Sequence, residues 1–213
     1  MTRIGRHGLV GALTALLLLT AAAAPAYASG SPSLLVFGIQ VSIGGRYDDV
    51  RLCVASGKDV PGGMSADVSF FAEVGVAQDI SLLFNIPVMR PILFATAFDM
   101  LQFEPDVTLN FRVDGGGTFD FIAGPSLGFS LNYGPDWHSE TSGPGRTSSF
   151  FSMGPRIGGT IGFDFKRPGQ LFDFQLGLHP YFAPLWGISD PQSHQGFVVG
   201  GMLDGQFRFT TTP

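Results

Sequence analysis

The chain has 213 residues, a net charge of −5 and only 14% charged side chains, with 30 glycines, 21 phenylalanines and one cysteine. A net negative chain so poor in basic residues is ill suited to bind nucleic acid, and one cysteine cannot close an internal disulfide. No stretch after the first 28 residues reaches 18 consecutive apolar residues, which excludes a later transmembrane helix and leaves the apolar content distributed along the chain.

The N-terminus carries Arg3 and Arg6, then an uncharged apolar run from Leu9 to Ala24, then Pro25 and the small-residue site Ala26-Tyr27-Ala28. Those are the three parts of a secretory signal. The expected division is a signal peptide at 1–28 and a single exported domain at 29–213. The run falls short of the roughly 20 residues a spanning helix needs, which argues against a retained anchor. Cys53 is far from the cut, so a lipid anchor at the new N-terminus is not expected.

From residue 35 onward the chain reads in steps of two. In 35–45, Leu35, Phe37, Ile39, Val41 and Ile43 oppose Gln40, Ser42 and Gly44. In 67–76, Val68, Phe70, Ala72, Val74 and Val76 oppose Asp67, Ser69, Glu73 and Gly75, with Phe71 as the exception. In 80–88, Ile80, Leu82, Phe84, Ile86 and Val88 oppose Ser81 and Asn85. The segment 89–105 breaks the pattern: Ile92 to Phe103 is apolar on both faces, and either extends the flanking strands or forms a short helix with Phe94, Ala97, Phe98 and Leu101 on one side.

Alternation resumes in 106–113, where Val107, Leu109, Phe111 and Val113 oppose Asp106, Thr108, Asn110 and Arg112. It continues through 118–133, 151–165, 172–182 and 197–209, each with Phe, Leu, Ile or Val on one face and Gly, Ser, Thr, Asn and a few charges on the other. Period-2 alternation predicts strands with two unlike faces. Eight strands result.

Their connections alternate in length. Tight turns are predicted over Ala77-Gln78-Asp79, Asp114-Gly115-Gly116-Gly117 and Lys166-Arg167-Pro168-Gly169, where Gly, Pro and Asp suit turn geometry. The connections 46–65, 89–105, 134–149 and 183–196 are long. Strict short–long alternation collects the short turns at one end and the long loops at the other, the arrangement of membrane-spanning barrels. Strands of about nine residues or more suit a tilted bilayer crossing.

The face assignment follows from composition. A soluble barrel would dress its polar face in Lys and Glu. Here that face is small and sparsely charged, which fits the narrow interior of an eight-stranded barrel, and the Phe-rich face then meets lipid. Phe111, Phe119, Phe163, Phe165, Phe172, Phe174, Phe207 and Phe209 fall beside the short turns or the chain end, and are expected to ring the barrel there as an aromatic girdle. The hairpin over 166–169 is expected to set Asp164 opposite Asp173, Phe163 opposite Phe174 and Phe165 opposite Phe172.

Inward charges are expected in two layers: Arg112, Asp120, Asp164, Asp173 and Arg208 near the short turns, and Glu73, Arg156 and Asp204 nearer the middle. In a space of low dielectric such charges must pair or some carboxylates must take up protons. A lumen-filling salt-bridge network is the favoured reading, a gated ion path the rival. Arg112 and Arg208 are the expected partners of the Asp164–Asp173 pair.

The chain resembles the eight-stranded outer-membrane β-barrel superfamily, the class of the OmpA transmembrane domain and OmpX-like proteins, over most of 33–210. The signal, the dyad strands, the loop asymmetry and the stretches Gly124-Pro125-Ser126-Leu127-Gly128 and Gly154-Pro155-Arg156-Ile157-Gly158 carry the resemblance. It implies an all-β, antiparallel, up-and-down transmembrane barrel in the bacterial outer membrane, surrounded by outer-membrane lipids and placed there by an insertion machinery. Such barrels usually end on an aromatic residue, whereas here Thr210, Thr211, Thr212 and Pro213 follow Phe209.

No cofactor, metal or catalytic residue is expected. His138 and His194 lie in long loops beside Ser139 and Ser193, ordinary loop residues that only a lipid-hydrolase alternative would use; a metal site there lacks ligand spacing. His179 is expected to hydrogen-bond inside the lumen, and Cys53 to be a lone thiol or a cross-linking site in the first long loop. The expected role is non-enzymatic: envelope structure, or contact with an extracellular ligand or surface partner through the long loops. A small pore or carrier for ions or small hydrophobic molecules is the alternative.

Overall fold

The computed structural model describes residues 35–48, 62–90, 101–116, 118–135, 149–165, 172–188 and 195–210. The predicted signal peptide, Cys53, His138, His194 and the predicted turn at 166–169 lie outside these residues. The strands are β1 (Leu35–Asp48), β2 (Gly63–Ala77), β3 (Ile80–Pro87), β4 (Leu101–Phe103), β5 (Asp106–Asp114), β6 (Phe119–Pro135), β7 (Ser149–Phe165), β8 (Phe172–Gly187) and β9 (Gln195–Thr210).

β4 and β5 are two halves of one stave. Both pair with β6 in a single register, Phe103 facing Leu131 and Asp106 facing Gly128. Pro105 sits at the break. It has no N–H to give a ladder, but its carbonyl accepts the Phe129 N–H at 3.2 Å and holds the stave against β6. Eight staves therefore stand antiparallel, each beside its chain neighbour. β1 closes on β9 from Val36–Thr210 to Asp48–Val198 and β6 pairs with β7, so the sheet closes on itself, while among the described residues β4 pairs on its β6 side alone. Closure gives each stave a ladder partner on both sides over most of its length, which is what lipid demands of a β-structure.

The alternation decides which way each side chain points. Ile157 and Leu178 are both 54% exposed and Phe70 is 56% exposed, whereas inward Asn110, Thr108 and Ser130 are buried. Large apolar side chains outside and polar ones inside invert the pattern of a soluble protein and identify the outer wall as the lipid face. From Phe172 to Phe182 on β8, roughly 3.3 Å per residue and a tilt of about 40° project to roughly 25 Å, the height of a barrel's apolar band. Phe71, the predicted exception to its face, points inward and is buried with Val36 and Leu83.

The structure differs from the sequence reading in three places. Staves run further toward the long loops than expected: β1 reaches Asp48, β6 reaches Pro135, β8 reaches Gly187 and β9 starts at Gln195. In the anomalous 89–105 segment, Leu101–Phe103 extends a strand; residues 91–100 lie outside the description. The β7–β8 register is two residues off the expected one. Asp164 faces Gln175, Phe165 faces Phe174 and Phe163 faces Leu176. A turn length guessed from Gly and Pro positions carries that error directly into register.

Candidate functional site

The barrel interior is the candidate site. Near the short turns, Glu73 on β2 is the hub. Arg112 Nη2 donates to it at 2.8 Å from β5, Arg208 Nη2 at 2.5 Å from β9, and the Ser81 hydroxyl also donates to it. Arg112 also bonds Asp164 on β7 and stands 4.0 Å from Asp120 on β6. Arg208 bonds Gln175 at 2.6 Å and lies over the Phe71 ring at 5.9 Å. Two guanidinium groups thus tie the carboxylates of three staves across the lumen. Arg208 is 2% exposed, and with water this scarce each charge depends on its partners.

A second ionic cluster lies toward the long loops. Arg156 on β7 donates to Asp106 on β5 at 2.5 Å and stacks 4.2 Å over the Tyr181 ring. Arg90 grips Asp67 through Nε at 3.2 Å and Nη2 at 2.9 Å, and approaches Glu104 at 3.3 Å. Glu104 also accepts from Ser130 at 2.7 Å and Gln102 at 2.9 Å, with Arg46 at 3.9 Å. Three arginines here meet three carboxylates.

Between the clusters lies His179 of β8. Its Nε2 is 3.1 Å from the Ser126 hydroxyl, and its Nδ1 is 3.4 Å from Thr160 and 3.6 Å from Asp204. Serine, histidine and aspartate in this order have the makings of a nucleophilic relay. All three are buried, and the two cavities lined by His179 and Asp204 have volumes of about 10 and 20 Å³, room for about one water each.

Of the charges expected in the lumen, Glu73, Arg112, Asp120, Asp164 and Arg208 come together in the short-turn cluster. Glu73 was expected nearer the middle. Staves are tilted and staggered in a barrel, so equal distances from a turn do not mean equal height. The expected Asp164–Asp173 juxtaposition does not form: Asp164 faces Asp120 on β6 and Gln175 on β8, while Asp173 faces Arg208 on β9. Arg156 belongs to the outer cluster and Asp204 to the histidine layer.

Sequence reasoning missed Arg46, Asp67, Arg90, Glu104 and Asp106 as network members. Asp67 and Asp106 had been placed on the inward face, and Arg46 and Glu104 share its parity. The long-loop assignment of their segments hid that signal. Arg90 comes after its stave has ended, where parity says nothing. Also missed was an apolar inner wall at the long-loop end, where Tyr181, Ala183 and Leu185 of β8 pack with Val198 and Met202 of β9. Gly200 makes room for it, since a Cβ there would lie 2.7 Å from the Tyr181 ring.

On the outer wall, the phenylalanines near the short turns touch in sequence around the barrel. Phe37 meets Phe209 at 6.0 Å, Phe209 meets Phe172 at 5.7 Å, Phe207 meets Phe174 at 5.5 Å, and Phe174 meets Phe165 at 6.3 Å. Phe163 sits between Phe119 and Phe121 at 5.9 and 5.8 Å. Phe111 faces Ile80 and Ala123 on its neighbours. The long-loop end carries its own aromatic contacts, Tyr47 and Phe182 both packing on Phe197.

The sequence matches no protein-family model and no curated relative. Among solved structures, the fold is similar to Neisserial surface protein A, with a TM-score of 0.53 at 12% identity over 85% of this chain and 99% of that one. Outer membrane protein OprG from Pseudomonas aeruginosa gives a TM-score of 0.46 at 11% identity, covering 86% of this chain and 98% of that one. Outer membrane protein AlkL in lipid bilayers gives 0.44 at 12% identity, covering 89% and 95%. The likeness to the Neisserial protein shows the fold. Among the described residues the chain is a closed, all-β, antiparallel, up-and-down barrel of eight staves.

Proposed function

We propose that the chain is a non-enzymatic, non-conducting barrel of the bacterial outer membrane, exported by cleavage after Ala28, that anchors its long loops at the cell surface for envelope structure or contact with a surface partner. One observation carries the reading: cross-lumen ion pairs close the barrel at two heights and leave voids of about 10 and 20 Å³. A lumen so filled is a scaffold core, as the interior of an eight-stranded barrel allows. Purified protein in a planar bilayer should show no steady conductance, and neutralising Arg156 should not create one. Stable unitary currents in the wild type, altered by Arg156→Gln or Glu73→Gln, would establish a pore instead.

A carrier of small hydrophobic molecules is the second reading. The apolar inner wall of Tyr181, Ala183, Leu185, Val198 and Met202 favours it. Saturable quenching of Trp186 fluorescence by a small apolar ligand, lost in Leu185→Asp, would support that role.

A further inference from the structure

The charges of the lumen do not balance. Among the described residues, seven buried carboxylates (Asp67, Glu73, Glu104, Asp106, Asp120, Asp164 and Asp204) stand against five arginines (Arg46, Arg90, Arg112, Arg156 and Arg208). The outer cluster is neutral in itself. The surplus lies in the other two layers, and Asp204 is its sharpest case: no guanidinium reaches it among the described residues, and its basic neighbour is His179 at 3.6 Å.

The space beside Asp204 is lined by groups with unmet acceptors. Asn85, Asp106, Asn110 and Asp204 line the smaller cavity. Asp204 Oδ1, Asp106 Oδ1, Asn85 Oδ1 and both amide atoms of Asn110 are buried without a hydrogen-bond partner. Asn110 is 1% exposed. Register explains the convergence: Asn85 faces Asp106 across β3 and β5, and Asn110 lies one inward step beyond Thr108 on the same stave. Four orphan oxygens and one orphan N–H form an acceptor-rich pocket, and a water held there would bond them without supplying charge. A buried uncompensated carboxylate is costly.

We propose that this mid-lumen cavity is a binding site for a small monovalent cation of the sodium class, held by Asp204 and the carbonyl oxygens of Asn85 and Asn110, with Asp106 beside it. Hard cations take this mixture of carboxylate and amide oxygens. A single charge fits because Asp106 is already neutralised by Arg156, leaving one carboxylate for the ion. The ionic clusters lie above and below the cavity, so the ion exchanges with solvent past them rather than flowing through an open channel.

The test is thermal unfolding of the full chain in detergent, with sodium chloride replaced stepwise by choline chloride at constant ionic strength and pH. Sodium that binds only the folded barrel should raise the midpoint by about 3 °C for each tenfold increase above its dissociation constant. Excess ²³Na relaxation in the folded sample should vanish on unfolding. Asp204→Asn and the nearly isosteric Asn110→Leu should each abolish the sodium dependence. Asn110→Leu keeps every charge, so it remains informative if Asp204→Asn does not fold, and the wild-type titration needs neither. Equal midpoints in sodium and choline with no excess relaxation would overturn the proposal and assign the cavity to water and a carboxyl proton. A sodium effect that persists in both variants would overturn it too, placing the ion elsewhere.

Discussion

At the scale of single residues, Glu73 concentrates the most interaction in the least space. It is 2% exposed and holds Arg112 and Arg208 through separate oxygens. Removing one member of a buried ion cluster strands the others, at a cost of about 3–5 kcal/mol. Glu73→Gln is therefore expected to lower the unfolding free energy in detergent and denaturant by that amount, while an outward substitution of similar size such as Ile157→Leu should cost well under half as much. Equal effects would mean that the arginines find Asp120 and Asp164 as adequate substitutes. Turn residues were easier to read. Gly116 takes φ 101° and donates its N–H to Asp114 at 2.9 Å, which is the work expected of Gly and Asp in a tight turn.

At the scale of elements, the seams are unequal. The β6–β7 ladder is unbroken from Phe119–Phe165 to Pro135–Ser149. The β7–β8 ladder lacks the rungs at Gly154–Arg156 and at Gly159–Thr160. Its register sets Pro155 opposite Pro184 and Gly159 opposite Pro180, and proline has no N–H to share. Local opening follows the weaker ladder. In hydrogen exchange, amides of Gly154 to Thr160 that point at β8 should exchange before amides of β7 that point at β6. Uniform protection along both seams would show that side-chain ties across the lumen, rather than ladder bonds, hold β7 in place. Alternation made the existence of these strands plain from composition, but the gaps depend on which proline faces which.

At the scale of the whole molecule, closure is the source of resistance to unfolding. As a ring closed on itself, the barrel opens only by losing a full ladder and exposing charged lumen residues to lipid or detergent together. Unboiled protein should migrate in detergent gels as a compact band distinct from the boiled form, and it should fractionate with the outer membrane. A band of fixed mobility in a soluble periplasmic fraction would sink the membrane assignment. Eight staves and the direction of nearly every side chain were legible in the sequence, because a period of two is a local property that each strand displays alone. The sequence also placed the polar and charged face on the inside. Which charges meet was legible only in the folded barrel. Glu73 joins Arg112 and Arg208, Asp164 turns away from Asp173, and Glu104 gathers Arg90 and Arg46, because stagger between staves sets height in the lumen. That stagger is fixed by turn lengths and by closure of β1 on β9, which no single strand encodes.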